Sequence, residues 1–201
     1  MVRMSRAESQ AQTRKHLIRT AQRMLLAQGY AATSLEAIAD EAGFSKGAVY
    51  SNFKNKDALC REVLRHIRAD HAAALVTEVS SATSFQELLD SFAAWSERTI
   101  GDQKWSTLEA EFAVRASADE LLRQQLSSDA AEIRRVITQL VAAAVESYNL
   151  DLDMPAEDVA TALLSLGIGL GLQRAIDPTV SAQILTDTIR AMLVRKMSPA
   201  S

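Results

Sequence analysis

Apolar residues recur along this chain at three- and four-residue intervals over most of its length, and the rhythm resets at glycine, serine, asparagine and aspartate positions. Leu17, Ile18, Ala21, Leu25 and Leu26 form the first such stripe and predict a helix from about Ser9 to Gln28. Gly29 ends it, because glycine reaches the left-handed conformation without a Cβ penalty. Thr33-Ser34-Leu35-Glu36 reads as a capping box, with Thr33 as the cap and Glu36 reaching back, and opens a short second helix to Ala42. Gly43 breaks that helix, and Ser45 caps a third that carries Lys46, Gly47, Ala48, Val49 and Tyr50. Asn55 caps a fourth, which runs to about Ser80 with Asp57 in its first turn.

Further along, Ser84 caps a helix to about Ile100, and the next spans about Gln103 to Ala116. Asp119 to about Ser147 is amphipathic, with Ile133, Val136, Ile137, Leu140, Val141, Ala144 and Val145 on its apolar side. Asn149 to Asp153 reads as a polar loop, and Pro155 sits in the first turn of a helix to about Ala175. Asp177-Pro178 reads as a cap followed by a first-turn proline, opening a ninth helix to about Lys196, after which Ser198 to Ser201 are expected to fray.

No stretch alternates β-branched and polar residues, and only 7 Gly and 3 Pro interrupt 201 residues, so the fold class is all-α. The predicted division is an amino-terminal domain of residues 1–56 and a larger domain of 57–201, joined by the fourth helix. The basic start, Met1 to Arg6, precedes no apolar run, and the run from Leu163 to Leu172 falls short of the roughly 20 residues a membrane span requires. A cytoplasmic protein without a membrane partner is therefore expected. The single cysteine, Cys60, permits no intrachain disulfide, and His16, His66 and His71 lack a metal-ligand spacing, so neither a metal nor another cofactor is expected.

Charge changes the picture. Residues 1–68 hold 12 Lys and Arg against 6 Asp and Glu, and the remainder holds 10 against 19. The chain's net −3 thus conceals a basic first third, the balance expected of a part that meets a polyanion.

That basic third contains two short helices joined by a glycine turn, the layout of a helix-turn-helix. Ile38, Ala39, Ala42, Phe44, Val49 and Phe53 fall where a small three-helix core needs them, which leaves Lys46, Gly47 and Tyr50 on an adjacent face of the third helix. Lys46 can reach guanine acceptors in a major groove, and Gly47 removes a side chain that would hold the backbone away from the bases. Tyr50 is placed to donate to a phosphate. Lys54, Lys56 and the backbone near Asn55 are candidates for flanking phosphates, as are Thr33, Ser34 and Ser45 at the helix starts.

From Thr33 to Leu59 the residues TSLEAIADEAGFSKGAVYSNFKNKDAL resemble, without a gap over 27 positions, the DNA-binding signature of the tetracycline-repressor (TetR-type) family of bacterial transcription regulators. The resemblance rests on the Ile-Ala pair, Ala-Gly-aromatic-Ser, Lys-Gly, Tyr and Phe-Lys-Asn-Lys. Asn52 stands where many members of that family carry a phosphate-touching histidine, and it too can donate a hydrogen bond. The resemblance implies a ligand-responsive repressor, a homodimer through the last two helices, a pseudo-palindromic double-stranded operator and release by a small-molecule effector. Gly167, Gly169 and Gly171 suit either a close helix partner or a ligand. Phe92, Trp95, Trp105, Phe112 and Met154 are candidates to line an effector cavity, with Glu109, Arg115 or Gln173 supplying polarity. No positioned base accompanies Cys60, so an enzyme is not expected. A sequence-indifferent architectural DNA protein and a helical ligand carrier are the remaining alternatives.

Overall fold

The computed structural model describes residues 5–195. Among these the chain forms α1 (Arg6–Ala32), α2 (Leu35–Ala42), α3 (Lys46–Asn52), α4 (Lys56–Val79), α5 (Phe85–Thr99), α6 (Gln103–Ser117), α7 (Glu120–Tyr148), β1 (Leu150–Leu152), α8 (Ala156–Ile176), α9 (Gln183–Met192) and β2 (Leu193–Arg195). The chain divides into two compact units. The first takes residues up to Asp70 together with Thr107–Ala118, and the second takes His71–Ser106 and the residues from Asp119 onward. The first unit is thus larger than the segment 1–56, because half of α4 and most of α6 pack within it.

Most helix starts are made by the polar residues that the sequence offers. Ser45 Oγ accepts from the Ala48 N–H at 3.2 Å, Asn55 Oδ1 from Ala58 at 2.8 Å, Ser84 Oγ from Glu87 at 3.2 Å and Asp119 Oδ1 from Leu122 at 3.0 Å. Ser5 caps α1 in the same way, with Glu8 returning the bond. At Gly29 (φ 81°, ψ 172°) α1 breaks, and one further helical turn follows to Ala32.

Five expectations are corrected. The cap of α2 is Ser34, whose Oγ accepts from Ala37 at 3.1 Å; Thr33 is buried and donates its hydroxyl to the Gly29 carbonyl at 2.8 Å. Asp177 does not cap α9. Its carboxylate accepts from the Thr179 amide and hydroxyl, which closes a turn over Pro178, and the helix starts only at Gln183. The expected loop from Asn149 to Asp153 contains β1, which pairs antiparallel with β2 in the register Leu150 to Arg195. The ninth helix accordingly ends at Met192; Lys196, the tail from Ser198 and the residues before Ser5 lie outside the described residues. Finally, α8 is 21 residues long and apolar enough to cross a membrane by length and composition, which the run from Leu163 to Leu172 understated.

In the first unit Leu17, Ala21, Leu25, Ile38, Val49, Phe53, Leu59 and Phe112 are all but fully buried. Each of these side chains except Ala21 contributes about 1.5–3 kcal/mol by leaving water. The core of the second unit is Leu89 from α5, Leu150, Ile189 and Leu193, with Phe85, Phe92, Val145 and Tyr148 packed around it. Arg174 of α8 braces that unit internally: Nε donates to the Ile100 carbonyl at 2.8 Å, Nη1 to that of Val180 at 2.6 Å, and Nη2 meets Glu97.

Candidate nucleic-acid interface

The turn between α2 and α3 is set by Gly43, a left-handed residue (φ 71°, ψ 28°) whose N–H donates to Ala39 and Asp40. The Phe44 N–H then donates to the Ala39 carbonyl at 2.9 Å, so the chain leaves α2 in one defined direction. Ile38, Ala39 and Val49 are completely buried between the helices. Arg14 of α1 fixes the far end of α3: its guanidinium lies 4.3 Å over the Phe53 ring, and Nη1 donates to the Asn52 carbonyl at 2.9 Å. His16 meets Phe44 edge-on at 5.5 Å. A residue of α1 thus takes part in orienting α3, a role the sequence pattern does not reveal because Arg14 lies 38 positions from Asn52.

These constraints turn Ser45, Lys46, Gly47, Tyr50 and Ser51 outward, with Ser34 exposed at the start of α2 and Lys54 beyond the end of α3. A Cβ added at Gly47 would meet nothing closer than Ser45 Oγ at 3.8 Å, so the backbone of α3 is bare at that point. Asn52 is half-buried and donates Nδ2 to the Ala48 carbonyl at 2.8 Å. Tyr50 is half exposed and donates its hydroxyl to Glu36 Oε1 at 3.0 Å. Hydrogen bonds from its own backbone N–H and from Tyr50 hold the Glu36 carboxyl below its usual range, and the same bond pushes the Tyr50 phenol up. Reading Glu36 as half of a capping box misses this partnership.

Two of the sequence-derived contact candidates face inward instead. Thr33 is buried, as described above. Lys56 Nζ donates to the Tyr30 carbonyl at 2.9 Å and to the Thr33 carbonyl at 3.0 Å, and lies 4.0 Å over the Tyr30 ring. Around that ring the end of α1, the start of α4 and α6 are tied together. The Tyr30 hydroxyl donates to Asp57, Arg115 Nη2 donates to the other Asp57 oxygen at 2.9 Å, and the Tyr30 N–H donates to Glu111 at 2.6 Å. Burial, then the Asp57 carboxylate, pushes the Tyr30 phenol up. Beside it, burial raises the Cys60 thiol to about 12.

The effector candidates divide between the units. Phe112, Glu109 and Arg115 belong to the first: Phe112 is fully buried against Tyr30, Glu109 pairs with Arg68 at 2.8 Å, and Arg115 holds Asp57. Burial raises the Glu109 carboxyl, and the Arg68 charge opposes that rise. Phe92, Trp95 and Trp105 belong to the second, where the Phe92 and Trp95 rings lie 5.6 Å apart. Trp95 Nε1 donates to the His71 carbonyl at 3.1 Å, and Trp105 meets the His71 ring edge-on. Gln173 is exposed on α8. Met154, also exposed, lines a shallow depression of about 440 Å³ with Asp153, Ile184, Asp187 and Thr188.

Residues 17–63, which carry this arrangement, match the model of the bacterial regulatory proteins, tetR family. Over 85% of its length the chain is 29% identical to the HTH-type transcriptional regulator TtgR of Pseudomonas putida, of which the match covers 83%. Its fold is similar to that of NalD, the secondary repressor of the MexAB-OprM multidrug efflux pump in Pseudomonas aeruginosa. That likeness has a TM-score of 0.62 and 25% identity, over 94% of this chain and all of that one. A transcriptional regulator from Saccharomonospora viridis, solved in complex with choline, shares the fold at TM-score 0.71 and 20% identity over 92% of this chain and 100% of its own. With its glycine-turned helix pair and its capped, outward-facing α3, the segment of residues 17–63 carries the DNA-binding signature of the tetR family of bacterial regulatory proteins, and the chain is similar along most of its length to an HTH-type transcriptional regulator.

Proposed function

We propose that the chain is a repressor that reads a pseudo-palindromic operator as a homodimer and is released by a small-molecule effector. The observation that carries this reading is the outward face of α3. Lys46 and the bare Gly47 stand at its capped amino end, and Lys54 stands just past its carboxy end. Such a helix presents its first turn to base edges while flanking groups hold phosphates. Lys46 and Gly47 take the base-reading role, and Ser34, Ser45, Tyr50, Asn52 and Lys54 flank it. Lys56 and Thr33 hold the unit together from within.

Dimerisation is assigned to α8 and α9. Ile168, Leu172 and Ile176 on α8 and Ile184 on α9 are large apolar side chains left 47–80% exposed. A Cβ at Gly167 or Gly169 would meet nothing within 4 Å, so a second helix can approach closely there. An apolar face of this kind on an isolated chain suits a two-fold interface with its own copy. The effector is assigned to the aromatic side of the second unit, at Phe92, Trp95 and Trp105, because Glu109, Phe112 and Arg115 are engaged within the first. A chain that acts on bacterial operators works in the cytoplasm.

The test is selection of duplexes from a random-sequence pool by the full chain, followed by fluorescence anisotropy on the selected site at moderate salt. A symmetric consensus bound at least a hundredfold more tightly than random duplex is expected. Equal affinity for all duplexes without effector overturns the proposal.

A further inference from the structure

Tyr50 has one hydroxyl proton, and in the free protein that proton is directed at Glu36 Oε1, 3.0 Å away. A phosphate offers only acceptor atoms, so Tyr50 cannot donate to one while this bond stands. The acceptor is an ionised carboxylate on the exposed start of α2, where its charge also acts on Lys46, the cation at the amino end of α3. One anion therefore occupies both the tyrosine and the field of the lysine on the face assigned to DNA. Arg23 and Glu41, the neighbouring charge pair on α1 and α2, engage each other at 2.8 Å and do not relieve it.

From this geometry we infer that Glu36 is a specificity-determining residue: it withholds the Tyr50 proton and offsets the Lys46 charge against backbone phosphates, and so penalises binding to sequences that supply no base contact. The inference rests on the proposed reading of α3 as the recognition helix. Non-specific affinity comes almost wholly from cation–phosphate attraction, which a carboxylate on the same face reduces. On the correct site, Lys46 gains acceptors on a base edge, and the arrangement of that base pair offsets the loss of the Glu36 bond. The carboxylate thus lowers both affinities, but lowers the non-specific one more.

The experiment compares wild type, Glu36→Gln, Tyr50→Phe and the double variant, each on the duplex selected by the wild-type chain and on a random duplex of equal length, over a salt series. Glu36→Gln is expected to tighten random-duplex binding about three- to tenfold and selected-site binding by less, so that the ratio of the two falls. In the Tyr50→Phe background the same substitution is expected to have a smaller effect, since one of the two groups that Glu36 engages is gone. Ultraviolet titration of tyrosine reads the pairing without DNA, and in Glu36→Gln one phenol should move down toward its ordinary range. Equal changes on both duplexes, a rise in the ratio, or an unchanged tyrosine titration would each overturn the role of Glu36. If the wild-type chain selects no site at all, the recognition-helix reading falls and takes this inference with it. A selected site on which Glu36→Gln leaves the ratio intact removes this inference alone.

Discussion

Three lysines near α3 look alike in the sequence and differ in their surroundings. Lys46→Ala is expected to cost about 1–3 kcal/mol on the selected site and to relax discrimination at one base position, whereas Lys54→Ala should weaken all duplexes alike. Lys56→Ala is a stability change instead, because it strips the Tyr30 and Thr33 carbonyls of a charged donor, at about 1–3 kcal/mol in urea unfolding. Loss of DNA affinity with an unchanged urea midpoint would return Lys56 to the phosphate contacts. The spacing of Phe-Lys-Asn-Lys cannot separate these cases, since which lysine turns inward depends on Tyr30, 26 positions away. Cys60 gives a pH prediction. The folded chain holds its thiol protonated up to about 12, against an ordinary value of 9.0. Its stabilising contribution is therefore full below pH 9 and declines as pH rises from there toward 12. Cys60→Ala should flatten the fall in thermal midpoint across that window, and the wild-type thiol should react with a disulfide reagent only after denaturation.

Among the elements, two glycines with positive φ stand at helix breaks in the first unit and differ in cost. Gly43 lies in the left-handed region with open space around it, so Gly43→Ala should cost only the backbone strain, roughly 1–2 kcal/mol. Gly29 adopts φ 81° and ψ 172°, a region almost confined to glycine, and a Cβ there would sit 3.0 Å from both Glu111 carboxylate oxygens. Gly29→Ala should thus lower stability by more than Gly43→Ala in paired urea titrations, and the reverse order would refute the close approach of Glu111. Helix starts were readable where one polar residue precedes an apolar stripe, as at Ser45, Asn55, Ser84 and Asp119. They were misread where a neighbouring polar residue competes for the same role. Thr33-Ser34 offers two caps, and burial of Thr33 decides between them; Asp177-Pro178 offers a cap, and Thr179 supplies a nearer donor pair. The strands escaped notice because three residues are too few to show alternation, and Leu150 is held by a partner 45 positions later.

For the molecule as a whole, the proposed dimer makes a direct prediction. Leu172→Glu sets a carboxylate on the exposed apolar face of α8 and should convert a species of twice the 21.9 kDa chain mass into a monomer in sedimentation velocity. The helix-turn-helix was legible because its caps, its turn glycine and its outward residues lie within 27 consecutive positions, although Arg14 and Tyr30, which complete it, do not. The effector candidates were not, because aromatic residues such as Phe92, Trp95, Trp105 and Phe112 at helical spacing serve equally as core, and only the fold sorts them between two units. The short ladder bears on how the protein can be handled. Leu193 and Leu150 are neighbours in one core with Leu89, so the last described residues seal the second unit. A gene cut back to codon 192 would uncover Leu89 and Leu150 and leave the backbone of β1 without its partner strand. Engineers who attach a reporter downstream should therefore keep residues 193–195 intact and begin any spacer beyond them.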